Sequence, residues 1–225
     1  MNLIAYFSVS VLAAVSAGAQ GTFQNLSFEQ ANPISAGDAN APWFVTAGSA
    51  LPFWSVYYSG VQQTQVSYNG ISTGATEVDL VNATGQFVQS IDGNYSVVLQ
   101  GIVPGSMASI SQSGIIPSGT QSLLFEASTY YGPQGQLDLF LGAQSIPFIE
   151  VGTGANYTLY GANISAWSGM MEQLTFLAPG GSYNNWEIDD ITFSPTAVTP
   201  EPNALALMLI GGAAFATHRW RANHS

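Results

Sequence analysis

Between Gln20 and Thr199 this chain has no lysine, arginine, histidine or cysteine. Each absence removes a class of chemistry. Without His, Cys or Lys there is no imidazole base, thiolate or amine nucleophile. Without His or Cys there is no zinc, copper or iron–sulfur site of the usual ligand sets. Without cations nothing in the body holds phosphate, so no nucleic-acid partner is expected. Without Cys no disulfide braces the fold, and stability has to come from burial, with a bound ion as a further source.

What remains is carboxylates, hydroxyls, amides and aromatic rings, which suit calcium and sugars. The 225 residues carry 13 Asp plus Glu against 2 Lys plus Arg, for a net charge of -11. All of these acids except Glu201 lie in the body, which will repel anionic membranes. Only 7% of residues are charged and 47% are hydrophobic, so surface polarity has to come from Ser, Thr, Asn and Gln.

The body reads as β throughout. Short alternating runs are separated by Gly, Pro and Asn turns, the pattern of a single antiparallel β-sandwich. A first strand is expected at 22–28 and a last at 186–193. Strands at 64–68 and 76–81 flank Asn69-Gly70, a tight-turn signal. The run 136–141 alternates cleanly, with Leu137, Leu139 and Leu141 on one face. A single helical turn fits 163–168. Phe53, Phe125, Phe176 and Phe193 are expected in the core.

The two ends read as addresses. Residues 3–17 are apolar and small, and Ala17-Gly18-Ala19 has the form of a signal-peptidase site, giving a signal peptide at 1–19. The body would then span 20–194, followed by a linker at 195–199. Beyond it come Pro200-Glu201-Pro202, an apolar run at 204–217, and Arg219 and Arg221 before a short tail at 222–225. The run falls short of the roughly 20 residues of a stable span, and the basic end belongs on the cytoplasmic side. A permanent anchor is the alternative to a removable tail.

These three parts in this order resemble the PEP-CTERM sorting domain of Gram-negative bacteria. The resemblance implies a sorting segment at 200–221 and recognition by an exosortase. It also implies export across the inner membrane, transient anchoring there, and delivery to the surface or extracellular matrix with exopolysaccharide.

A second resemblance spans the body. Asn25-Leu26-Ser27-Phe28-Glu29 at the opening and Ile188-Asp189-Asp190-Ile191 at the close are similar to the galactose-binding-like jelly-roll modules, which include many carbohydrate-binding modules. Ile91-Asp92-Gly93 and Ile110-Ser111-Gln112 fit the same pattern. The resemblance implies a jelly roll whose first and last strands lie together, tied by a structural calcium ion at Glu29, Asp189 and Asp190. The other reading is that one Asp caps a turn and the other faces water.

Aromatic residues crowd at Trp43-Phe44, at 52–58, at Tyr130-Tyr131 and at Tyr183 to Trp186. Sugars stack on such rings, and core filling uses them too. Tyr130, Tyr131, Trp54 and Tyr57 are the ligand-binding candidates. Within the body, the five Asn-x-Ser/Thr sequons at Asn25, Asn82, Asn94, Asn156 and Asn163 match chance in such a composition. No motif marks an acid–base pair, although a carboxylate-based glycoside hydrolase remains the minor alternative. The expected function is a non-enzymatic surface or matrix protein that binds polysaccharide. A purely structural matrix protein without a specific ligand stands beside it.

Overall fold

The computed structural model describes residues 21–72, 74–130, 135–181 and 184–198. Their strands form two sheets. The larger has eight strands in the order β1 (Phe44–Thr46), β4 (Gln65–Tyr68), β5 (Glu77–Asn82), β6 (Tyr95–Gly101), β14 (Asn184–Ser194), β8 (Ser122–Ser128), β12 (Thr158–Asn163) and β11 (Phe148–Thr153). The smaller has six in the order β10 (Gln144–Ser145), β9 (Asp138–Leu141), β13 (Met171–Pro179), β7 (Met107–Ile115), β2 (Ser55–Tyr58) and β3 (Val61–Gln63). The chain passes between sheets at β6–β7–β8–β9 and again at β12–β13–β14, so the architecture is a β-sandwich of jelly-roll type. A 3₁₀ turn at Ser165–Trp167 falls inside the expected helical turn.

Period-two alternation sets what each strand buries. Leu174, Phe176 and Ala178 of β13 point inward, as do Leu139 and Leu141 of β9. At the centre the Phe125 ring of β8 meets Phe148, Tyr160 and Phe176, with centroids at 5.2, 5.5 and 5.1 Å. Phe176 comes from the opposite sheet, so this ring cluster ties the two layers. Full burial of such a side chain contributes about 1.5–3 kcal/mol.

The central strands of the larger sheet are buried on both faces. Their outer face carries a second small cluster of Val81, Val88 and Val98, with Ile71 and Tyr130 packed on it. Polar outward positions are buried there as well, which matters below.

Four expectations change. The segment 22–28 is not a strand: Thr22 makes one parallel bridge to Ile115, and turns follow with Asn25 and Phe28 at positive φ. The turns serve to bury Phe28 completely. The Gln112 amide holds the Gln24 backbone through both its oxygen and its nitrogen, and Ile191 N donates to Leu26 O. The opening segment therefore does lie against the last strand.

Asn69-Gly70 does not close a hairpin, because β4 and β5 run parallel (Ser67↔Asp79, Tyr68↔Leu80). In the aromatic run, Trp54 and Val56 are the inward pair, while Phe53 is 54% exposed at φ 73. Phe193 is half-buried beside Phe23 at 5.0 Å rather than in the core. The backbone between β1 and β2 sets that parity, and alternation alone does not reveal it.

The stretch expected as linker begins as part of the domain. Ser122 Oγ donates to Thr196 O at 2.7 Å. Val198 occupies the space that a Cβ at Gly161 would need, with Val151 and Leu124 also beside that point. A chain truncated after Ser194 is thus expected to fold cooperatively yet lose about 1–2 kcal/mol, from one hydrogen bond and part of a valine. Denaturant melts of the two lengths check this. Equal stability would mean that 195–198 contribute nothing.

Candidate functional site

Among the outer faces of the two sheets, that of the smaller one is open. Each of its strands contributes outward side chains through the ladder register. Tyr57 of β2 lies opposite Ser109 of β7, and Ser109 opposite Leu177 of β13. In the next row Ser55 pairs with Ser111, Ser111 with Thr175, and Thr175 with Phe140 of β9. Gln173 donates through Nε2 to Ser111 Oγ at 3.4 Å.

These side chains line a groove of about 340 Å³ bounded by Tyr57, Ser109, Ser111, Gln173, Thr175 and Leu177. None of the residues lining it carries a charge. Hydroxyls and an amide form its floor, a phenol ring stands at one end and an aliphatic side chain at the other. That set can donate and accept hydrogen bonds and offer a ring face to a neutral polyhydroxyl ligand.

The outer face of the larger sheet is the chemical opposite. Glu77 and Asp79 of β5, Glu187 and Asp189 of β14 and Glu126 of β8 are all buried there. Burial pushes Glu187 and Asp189 up to about 8 and raises Glu126 as well. Ser96 Oγ donates to Asp189 Oδ2 at 2.9 Å and accepts from Ile91 N at 3.0 Å. The Tyr157 hydroxyl donates to Glu126.

Glu29 sits differently, at the surface. Its carboxylate accepts from Asn94 N, Asn94 Nδ2 and Tyr95 N at 2.6, 2.7 and 3.0 Å. Slight burial raises its pKa, but those three donors outweigh it and hold the group below its ordinary value. Gly93, at φ 55, leaves room for this carboxylate where a Cβ would collide with it.

The expected calcium ligands are therefore divided. Glu29 caps the turn before β6, and Asp189 is buried on Ser96 and on the Asp190 amide at 2.8 Å. Asp190 is exposed at φ 44, at the bulge in β14. Among the described residues no group of three or more His, Cys, Asp or Glu side chains is placed to hold a metal ion.

The aromatic candidates also divide. Tyr57 lies on the open groove. Trp54 does not: it is 5% exposed, packs on Phe28 at 5.6 Å and donates through Nε1 to Asn25 O. Tyr130 is half-buried over Val81, Val88 and Val98, with its N–H on Asn185 Oδ1. Tyr131 and the sorting residues Pro200, Glu201, Pro202, Arg219 and Arg221 lie outside the described residues.

Ser109, Ser111, Gln173 and Thr175 were not among the sequence candidates. Their signal is the alternation Ser109-Ile110-Ser111 and Gln173-Leu174-Thr175-Phe176, polar out and apolar in. Alternation marks a solvated face, but only the pairing of β2, β7 and β13 shows that these residues share one.

No protein-family model matches the chain, and no curated protein matches it. Similar solved structures include TmCBM61 in complex with β-1,4-galactotriose, at TM-score 0.40 and 15% identity, covering 78% of this chain and 99% of that one. The family 11 carbohydrate-binding module from Clostridium thermocellum, in complex with a β-1,3-1,4-mixed-linked tetrasaccharide, gives TM-score 0.37 and 12% identity over 66% and 92%. A glycoside hydrolase family 43 arabinoxylan arabinofuranohydrolase from Bacillus subtilis gives 0.34 and 13%, with 62% of this chain and 26% of that chain covered. These are likenesses of fold.

The Glu29 cap is testable. Because its folded pKa is lowered, its contribution is present above the unfolded value of 4.5 and is lost as pH falls through the folded one. Glu29→Gln is expected to lower stability at neutral pH by about 1 kcal/mol or less, given the solvent exposure of the group. The deficit should shrink as pH drops below about 4. Melting curves across that range decide it, and a deficit independent of pH would show that charge plays no part.

Proposed function

We propose that this chain is a non-enzymatic exported protein of the cell surface or extracellular matrix, and that its β-sandwich binds glycan on the open face of the six-stranded sheet. The observation that carries the reading is the uncharged groove of Tyr57, Ser109, Ser111, Gln173 and Thr175. It is the kind of surface that recognises a neutral sugar, by ring stacking and hydroxyl–hydroxyl bonding. The body holds no His, Cys or Lys for covalent or general-base chemistry. Four of its carboxylates, Glu77, Asp79, Glu187 and Asp189, are buried beneath cover and not displayed in the groove.

Export and sorting belong to the same proposal and rest on the two termini. The signal peptide would carry the chain across the inner membrane. The Pro200-Glu201-Pro202 tail would hold it there for an exosortase, with exopolysaccharide as the destination.

Binding is tested with a panel of neutral β-linked polysaccharides by affinity electrophoresis. Retardation is expected, with Tyr57→Ala about tenfold weaker, a loss near 1.4 kcal/mol. Phe87→Ala, at an exposed ring away from the groove, should bind as the parent does. No retardation by any polysaccharide would leave the purely structural matrix protein as the better reading.

Sorting is tested separately. Replacing Pro200, Glu201 and Pro202 by Ala should leave translocation intact and stop tail processing, because the two signals act at different steps. A variant that still matures to the parent mass would refute the motif.

A further inference from the structure

The turn at residues 69–72 closes over one edge of the buried acidic face, and carboxylates of β5 hold it. Asp79 Oδ2 accepts from Gly70 N at 3.1 Å, and Glu77 Oε1 accepts from Ser72 N at 2.7 Å. Between these two anchors Ile71 packs on the Val81, Val88 and Val98 cluster. Gly70 lies against the Trp43 ring, and Trp43 is itself 47% exposed.

Asp79 is 0% exposed, and its second oxygen, Oδ1, is buried without a hydrogen bond of ordinary geometry. The Ser67 hydroxyl and the Asn69 backbone beside the carboxyl favour its anion, but less than burial opposes it. Every element around it has been stripped of positive charge. On its own strand the facing groups are Glu77 and Val81; β4 offers Ser67; β6 offers Ser96, Val98 and Gln100; Trp43 and the turn offer no titratable group. Glu187 stands beyond Val98, across β6. Tyr58 of β2, which accepts from Val78 N at 3.1 Å, is a further titratable neighbour and stays neutral, being pushed up to about 12, and the phenol of Tyr130 packs on Val81 and Val98 beside it.

An anion here faces a second carboxylate at Glu77 and no cation anywhere in the body. A neutral acid avoids both the desolvation cost and the repulsion while its carbonyl oxygen still accepts from Gly70.

We propose that Asp79 is a proton-operated latch: as the neutral acid it keeps the turn at residues 69–72 closed on the larger sheet, and as the anion it releases that turn. Release uncovers Val81 and Val98 and frees the edge beside Trp43, giving the surface an apolar patch that is hidden in acid.

The direction follows from linkage. In the closed form burial first, and the Glu77 charge second, push the Asp79 carboxyl up to about 7; in an open turn it returns toward 3.8. The closed form thus binds the extra proton between those two values. The open fraction rises up to tenfold per pH unit as pH climbs from about 4 to about 7, and levels off above that.

Amide hydrogen exchange, read by NMR in buffers containing chelator, tests the latch through the Gly70 and Ser72 amides. Between about pH 5 and pH 7 their protection factors, corrected for intrinsic exchange, are expected to fall on the order of a hundredfold, following the same tenfold-per-unit slope. Asp79→Asn, which mimics the neutral acid, should keep both amides protected throughout that range. Independent of any variant, the Asp79 carboxyl carbon should titrate near 7. Protection that does not change with pH, an equal pH slope in Asp79→Asn, or a carboxyl midpoint near 4 would each overturn the latch. So would restoration of protection by added calcium at about pH 8, since the anion would then be held by a cation and not released.

Discussion

The fold buries carboxylates without a single Lys, Arg or His between residues 20 and 199 to neutralise them. Charge in such a body can be handled in two ways. A carboxylate can stay at the surface and collect backbone donors, or it can go inside and keep its proton. Glu29 takes the first course, with three N–H groups and a lowered pKa. Glu187, Asp189 and Asp79 take the second, under the cover of Val88, Ile91 and Ile71. Opposite linkage follows from the two courses. Glu29 stabilises the fold above its pKa, whereas the buried set favours acid and loses its contribution as pH climbs from the unfolded values near 4 toward 8, so the domain should be firmest near about pH 4.

The same constraint shapes the two sheets unequally. An outer face full of acids cannot be left to titrate freely without strong mutual repulsion, and the larger sheet is covered by turns and a second apolar cluster. The smaller sheet carries mostly neutral hydroxyls and amides outward, with Asp138 of β9 beside Leu177 held by Gln136, and these need no cover. An open polar groove on one side and a closed acidic layer on the other are thus two outcomes of one composition. The groove stays neutral because the charge has been placed elsewhere.

Much of the sandwich was legible in the sequence because alternation is a direct imprint of a half-buried strand. Leu137, Leu139 and Leu141 and the β13 sequence Gln173-Leu174-Thr175-Phe176 show it plainly. Where both faces are buried, as along Glu77 to Val81 and Trp186 to Asp189, a strand was still visible but the burial of its acids was not. Their cover comes from turns remote in sequence. Trp54 and Phe53 exchanged places for a local reason: positive φ at Phe53 shifts the inward set by one residue. Asn69-Gly70 carries a hairpin signal, yet Asp79 and Glu77 recruit the amides of that turn and β5 enters parallel to β4. The groove eluded residue-by-residue reading because Tyr57, Ser109, Ser111 and Thr175 become neighbours only through strand pairing. Aromatic density pointed to Tyr57, which lies on the groove, to Trp54 and Tyr130, which are occupied in packing, and to Tyr131, outside the described residues.

The position of the chain's exit bears on how groove and tail could act together. Beyond Ser194 the backbone does not leave the domain at once. It crosses the outer face of β8 and β12, held by Ser122 and by the space that Gly161 leaves for Val198. That face belongs to the larger sheet, whereas the groove lies on the outer side of the smaller one, so the two occupy opposite broad faces of the sandwich. A tether at the C-terminus would therefore pull on the larger sheet and leave Tyr57 and Gln173 turned away from the point of attachment. Had Val198 packed on β7 or β13 instead, attachment and ligand would compete for one surface. Only the packing of 195–198 shows that the last described residues lie on the face opposite the groove.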